Sequence, residues 1–181
     1  MLDSGNDEDR KLISASIAEL DDYLNSQVMF WRIPRQRLML TPGNLQLALL
    51  RTSQDQVKEL ISARDTISTL TEKRRVAWEE KVLKEIPLRL NQWKGYMEDF
   101  REGGTIDPNF PYAVRVRVII TLLIAQARFV SPKFITQLDE LDSSLNRLAI
   151  PGGFIWPTEL GALFPQSTYP FLYLHPKGES K

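Results

Sequence analysis

The stretch from Ser53 to Glu102 decides what this chain can fold into. Along it Val57, Leu60, Ile61, Ile67, Leu70, Ala77, Trp78, Val82, Ile86, Leu90, Trp93, Met97 and Phe100 recur at steps of mostly three and four, the spacing of a helix that buries one face. Ser53-Gln-Asp-Gln56 has capping-box spacing at its start, and Gly103-Gly104 marks its end. Unbroken, it would make a rod of about 75 Å at 1.5 Å per residue, longer than the rest of a 181-residue chain can cover. It must bend or break. Pro87 lacks a backbone donor and predicts a kink near residue 84, which is the preferred reading. Thr69-Leu-Thr-Glu72, a second capping-box spacing, offers a break near 69 as the alternative.

The flanking segments supply further helices. Leu12, Ile13, Ile17, Leu20 and Leu24 predict a helix over about 7–26, with Asp7, Glu8 and Asp9 at the end where the macrodipole favours negative charge. Val28 to Ile33 is dense in β-branched and aromatic residues and stops at Pro34, so it reads as extended or a short edge strand. Thr41 and Pro42 form an N-cap and first-turn pair that predicts a short helix over 42–51. Residues 111–129 alternate at first, but their length and continuation favour helix. Ser131-Pro132 repeats the cap-plus-proline start, and Phe134, Leu138, Leu141, Leu145 and Leu148 follow at heptad-like steps up to Ile150-Pro-Gly-Gly153.

Beyond residue 150 the composition changes. Six of the 17 aromatic residues and five of the 11 prolines fall between 151 and 176, which rules out regular helix. Two turns are expected over 157–164 and extended chain over 169–174, the whole forming a strap packed along the helices. The expected fold is therefore all-α: an irregular antiparallel bundle of four to five helices, with a short extended segment near 28–33 and a Pro/aromatic-rich C-terminal strap. Residues 1–150 would form the bundle and 151–181 the strap, as one domain overall. A chain of this length buries roughly 70% of its extended surface and needs no disulfide or metal to hold a core.

The chain has no cysteine and one histidine, His175. Thiolate nucleophiles, zinc centres and iron–sulfur clusters lack their ligands, and no Ser-His-Asp or Glu-x-x-His constellation can be drawn. No catalytic residue, metal ligand or cofactor is expected. The acidic N-terminus lacks a signal-peptide pattern, and the longest apolar run, Val118 to Ala127, is too short to span a bilayer. A cytoplasmic protein with no membrane partner is the expectation.

Charge cancels in sum, 23 basic against 23 acidic residues, but not in place. No acid occurs from Tyr23 to Gln54 or from Pro108 to Leu138, whereas residues 1–22 carry seven. Arg32, Arg35, Arg37, Arg115 and Arg117 are thus a candidate anion or nucleic-acid site, with Phe30 and Trp31 interleaved as in single-strand binders. The plainer reading, that acids of the first helix or the long helix cover these arginines, is preferred at a pI near 6.6. Glu72, Glu79, Glu80 and Glu85 alternate with basic residues and read as a solvated helix face. Thr41-Pro-Gly-Asn44 could seat a phosphate, although capping accounts for it. Trp156, Phe164, Phe171 and Tyr173 are candidate partner-binding aromatics, with packing inside the fold as the plainer account.

The leading functional expectation is a non-catalytic helical interaction or assembly factor, acting on a protein partner or on itself. A nucleic-acid or polyanion-binding accessory protein is the alternative. A metal-dependent phosphohydrolase of all-α type comes third.

Overall fold

A computed structural model describes residues 4–102 and 107–177 of the chain. The polypeptide is all-α: α1 (Ser4–Asn25), β1 (Trp31–Arg32), β2 (Met39–Leu40), α2 (Pro42–Arg51), α3 (Lys58–Lys73), α4 (Arg75–Glu102), α5 (Phe110–Gln126), α6 (Pro132–Leu148), β3 (Ala149–Pro151) and β4 (Leu174–Pro176), with 3₁₀ turns at Thr158–Leu163 and Pro170–Tyr173. The strands form two antiparallel pairs, β1 with β2 and β3 with β4. The chain folds as two compact units: one runs to Ile86 and includes Leu122–Arg128, and the other comprises Pro87–Thr121 and the chain from Phe129.

In the first unit α1 packs on α2 and α3, burying Leu12, Ile13, Leu20, Tyr23 and Leu24 along one stripe. Each contributes about 1.5–3 kcal/mol by leaving water. Thr41 caps α2, its hydroxyl accepting from the Asn44 N–H at 3.1 Å, and Pro42 opens the first turn as the sequence predicts. Thr52 closes that helix, its N–H and hydroxyl both donating to the Ala48 carbonyl.

The fifty-residue helical signal resolves into two helices, and the break lies beyond the alternative position near 69. It falls at Arg74, which leaves helical geometry with φ −107° and ψ 31°. Lys73, Arg74 and Arg75 form a like-charged run, and the two arginines are drawn to different partners: Arg74 to Asp21 and Asn25, Arg75 to the Gln126 carbonyl at 3.1 Å. The hydroxyls of Thr69 and Thr71 donate back to carbonyls of the preceding turn and start no new helix. Nor does Ser53 cap α3, because residues 52–55 are used in the turn that closes α2; the helix begins behind Val57 without a side-chain cap. Helix continues through Pro87, whose lost donor would have served Leu83, on the exposed side where water can take its place. The proposed Gly103-Gly104 stop lies outside the described residues.

The interior of the second unit is built from rings. Trp93, Tyr96, Phe100 and Phe110 stack in sequence with centroids 5.3, 5.8 and 5.9 Å apart. Trp156, Phe164, Tyr169 and Phe171 form a second series of edge-on contacts. Residues 170–173, expected to be extended, wind into a 3₁₀ turn opened by Pro170, and chain direction straightens only at β4. The pairing of β4 with β3 brings the His175 ring against Gly152, where a Cβ would stand 2.1 Å from the imidazole. Only glycine fits there. His175 Nε2 lies 2.9 Å from the Gly153 carbonyl oxygen.

Candidate docking groove

Helical periodicity places Lys94, Met97, Glu98 and Arg101 on one face of α4, and Lys133, Gln137, Glu140, Leu141 and Ser144 on one face of α6. These faces line an open groove of about 650 Å³, with Arg147 at one end. Met97 and Leu141 supply its apolar floor. Four cations surround it against two carboxylates. Lys94 and Glu98 approach each other at 3.8 Å, an exposed pair of small energetic weight. Arg101, Lys133 and Arg147 have no side-chain ion pair or hydrogen bond among the described residues.

The arginines singled out from sequence separate into two groups. Arg32, Arg35 and Arg37 sit exposed on the β1–β2 hairpin of the first unit. They form no ion pair among the described residues; of the α1 carboxylates, Asp9 pairs with Arg51 at 3.1 Å, Asp21 with Arg74 at 2.6 Å, and Glu19 accepts from the Trp31 indole of the hairpin itself at 2.9 Å. Arg115 and Arg117 lie on α5 in the second unit. Arg117 is buried and grips Asp142 of α6 with two hydrogen bonds of 2.8 and 2.7 Å, while its guanidinium lies 4.4 Å from the Phe171 ring centre. Its donors tie α5 to α6, and its guanidinium rests on the strap through the Phe171 ring.

The strap aromatics are likewise engaged within the unit. Phe164 is fully buried, Phe171 nearly so, the Trp156 indole donates to the Pro111 carbonyl at 2.7 Å, and the Tyr173 hydroxyl donates to the Phe164 carbonyl at 3.0 Å.

Two residues assigned to a solvated face prove to be interior. Glu85 is completely buried and accepts from the Thr41 hydroxyl and the Gly43 N–H, each at 2.8 Å. A carboxylate of the protein itself therefore fills the α2 N-terminus that a phosphate could have used. Lys81 is buried beside it in sequence, donating to the Ser26 and Val28 carbonyls with its ammonium 4.4 Å from the Tyr23 ring centre. Burial pushes its pKa down, and the nearby Lys84 charge adds to this. Glu80 and Lys84 do form the expected solvent-side pair, at 2.7 Å.

Among the described residues no group of three or more carboxylate or imidazole side chains is placed to hold a metal, and no helix is long and apolar enough to cross a membrane. In the second unit the Tyr96 hydroxyl donates to Asp107 at 2.7 Å, and burial together with that carboxylate raises its pKa strongly. Neither a known protein family, nor a curated protein, nor a solved structure matches the chain.

Proposed function

We propose that this protein is a non-catalytic interaction module whose α4–α6 groove receives an acidic amphipathic helix from a partner protein. The observation that carries this reading is the set of three cations, Arg101, Lys133 and Arg147, that have no side-chain partner among the described residues and surround the apolar floor of Met97 and Leu141. A partner carboxylate can pair with them without first displacing an internal one. The groove lies between two helices, the arrangement in which a third helix inserts its apolar ridge. Glu98 and Glu140 on the same walls repel a continuous polyanion and favour a ligand whose acids are spaced along one face.

The test is titration with a model helix of about 20 residues carrying leucines at i, i+3, i+4 and i+7 and glutamates beside them. Saturable binding is expected, lost on replacing Arg101, Lys133 and Arg147 by glutamate and absent for a lysine version of the same peptide. Equal binding of both peptides would refute the reading. Concentration-dependent self-association abolished by the same three substitutions would replace the foreign partner with a second copy of the chain.

A further inference from the structure

The charges of the α4–α6 groove are ordered, and an order constrains an occupant more than a sum does. Along α6 the lining residues Lys133, Gln137, Glu140, Ser144 and Arg147 follow at steps of four, three, four and three, the spacing of one helix face. The ridge they form reads cation, carboxylate, cation, with one neutral side chain in each interval. Lys133, Glu140 and Arg147 are exposed, while Gln137 and Ser144 are half-buried between them.

Neighbouring charges on this ridge are seven residues apart, about 10.5 Å of helix at 1.5 Å per residue. Side chains on one helix pair at three or four residues, not at seven. Lys133, Glu140 and Arg147 accordingly have no side-chain ion pair or hydrogen bond among the described residues. On α4 the same order appears as Lys94, Glu98 and Arg101, compressed into steps of four and three. There Lys94 and Glu98 lie 3.8 Å apart and offset each other, so Arg101 is the charge that wall offers a ligand.

We propose, on the basis that this groove receives a partner helix, that the helix carries an acid–base–acid series at heptad spacing: a carboxylate at i against one ridge cation, a cation at i+7 against Glu140, and a carboxylate at i+14 against the other cation. Helices lying side by side rise equally per residue, so a seven-residue period on one matches a seven-residue period on the other, and charges so placed set partner choice and register. A helix acidic at all three positions gains Lys133 and Arg147 but sets its middle carboxylate against Glu140, a like-charge contact. Sliding the mixed series by one heptad creates two like-charge contacts, which fixes its register. The series reads the same from either end, so helix direction is left to the apolar contacts with Met97 and Leu141. A nucleic-acid strand, negative at every residue, is the poorer occupant because Glu98 and Glu140 face it as well.

Calorimetric titration of the full chain with two helical peptides of about 20 residues tests this. Both carry the same leucines and have glutamate at i and i+14. The first has lysine at i+7 and glutamate at i+9, and the second exchanges these two residues, which moves the lysine to the opposite face. The peptides therefore share composition and net charge, and lysine and glutamate have similar helix propensity. The first should bind about fivefold tighter. Glu140→Lys should reverse that order and Glu140→Gln should remove most of the difference, both at wild-type Tm because Glu140 is exposed. Equal binding of the two peptides, or an order that survives Glu140→Lys, would overturn the inference while leaving helix docking intact. Binding of neither would overturn both. Tighter binding of oligothymidine than of either peptide would overturn it in favour of a polyanion.

Discussion

Up to Ile86 the fold draws ionic groups into its interior: Glu85 closes the start of α2, Lys81 satisfies carbonyls at the end of α1, and Asp9 meets Arg51 beneath the surface. From Pro87 onward the interior holds stacked rings with Arg89 and Arg117 as buried charges, while Arg101, Lys133 and Arg147 remain at the surface with no side-chain partner among the described residues. The same residue types thus serve opposite purposes in the two units. A charge is structural where backbone donors or acceptors converge on it, as they do on Glu85 and Lys81. Where none converge, as around Arg101, it is available to a ligand.

The sharpest way to break this contrast is Phe164→Ala. A fully buried ring is lost from the strap, and stability should fall by about 3–5 kcal/mol in chemical denaturation; a wild-type midpoint would mean that the strap is not core. Next comes Glu85→Ala, which leaves the Gly43 N–H and Thr41 hydroxyl short of an acceptor and should cost about 2–4 kcal/mol. A cost below about 0.5 kcal/mol, the usual range for a surface position, would return Glu85 to the solvated face. Arg117→Met should cost about 1–3 kcal/mol through the lost Asp142 bridge and ring contact, whereas an arginine kept for an anionic ligand would be lost without a stability change.

A smaller effect is confined to alkaline pH. Tyr96 keeps its proton in the folded state above its ordinary pKa of 10.0, so the native state binds more protons than the unfolded chain there, and stability falls as pH rises. The contribution is complete below pH 10 and is lost progressively above it. Tyr96→Phe should flatten the decline in Tm between about pH 9 and pH 11.5 relative to wild type. An equally steep decline in the variant would show that the Tyr96–Asp107 contact does not hold the proton.

Local signals in the sequence were reliable where the interaction itself is local. Thr41-Pro42 fixes the start of α2 and Pro132 that of α6, and the aromatic run before Pro34 becomes the β1 strand. The break at Arg74 was not legible, because its cause lies in partners more than 45 positions away, Asp21 and Gln126. Glu85 and Lys81 were misread for a related reason: their charge pattern matches an exposed face, and only folding brings Gly43 and Ser26 to them. Of the heptad-like face on α6, Leu138 and Leu145 are buried, while Leu141 faces the groove. That groove needs two helices side by side. The rows 94, 97, 98 and 101 and 133, 137, 140 and 144 were its only trace in the sequence, and neither identifies the other.

The central claim is that partner-directed chemistry lies on the α4–α6 faces rather than in the strap. Amide chemical-shift mapping of the labelled full chain during titration with the acidic amphipathic helix tests it most directly. The account predicts perturbations concentrated in residues 94–101 and 133–147, with residues 154–173 unmoved. Shifts concentrated at Trp156, Phe164, Phe171 and Tyr173 instead would contradict it and make the aromatic strap the binding element.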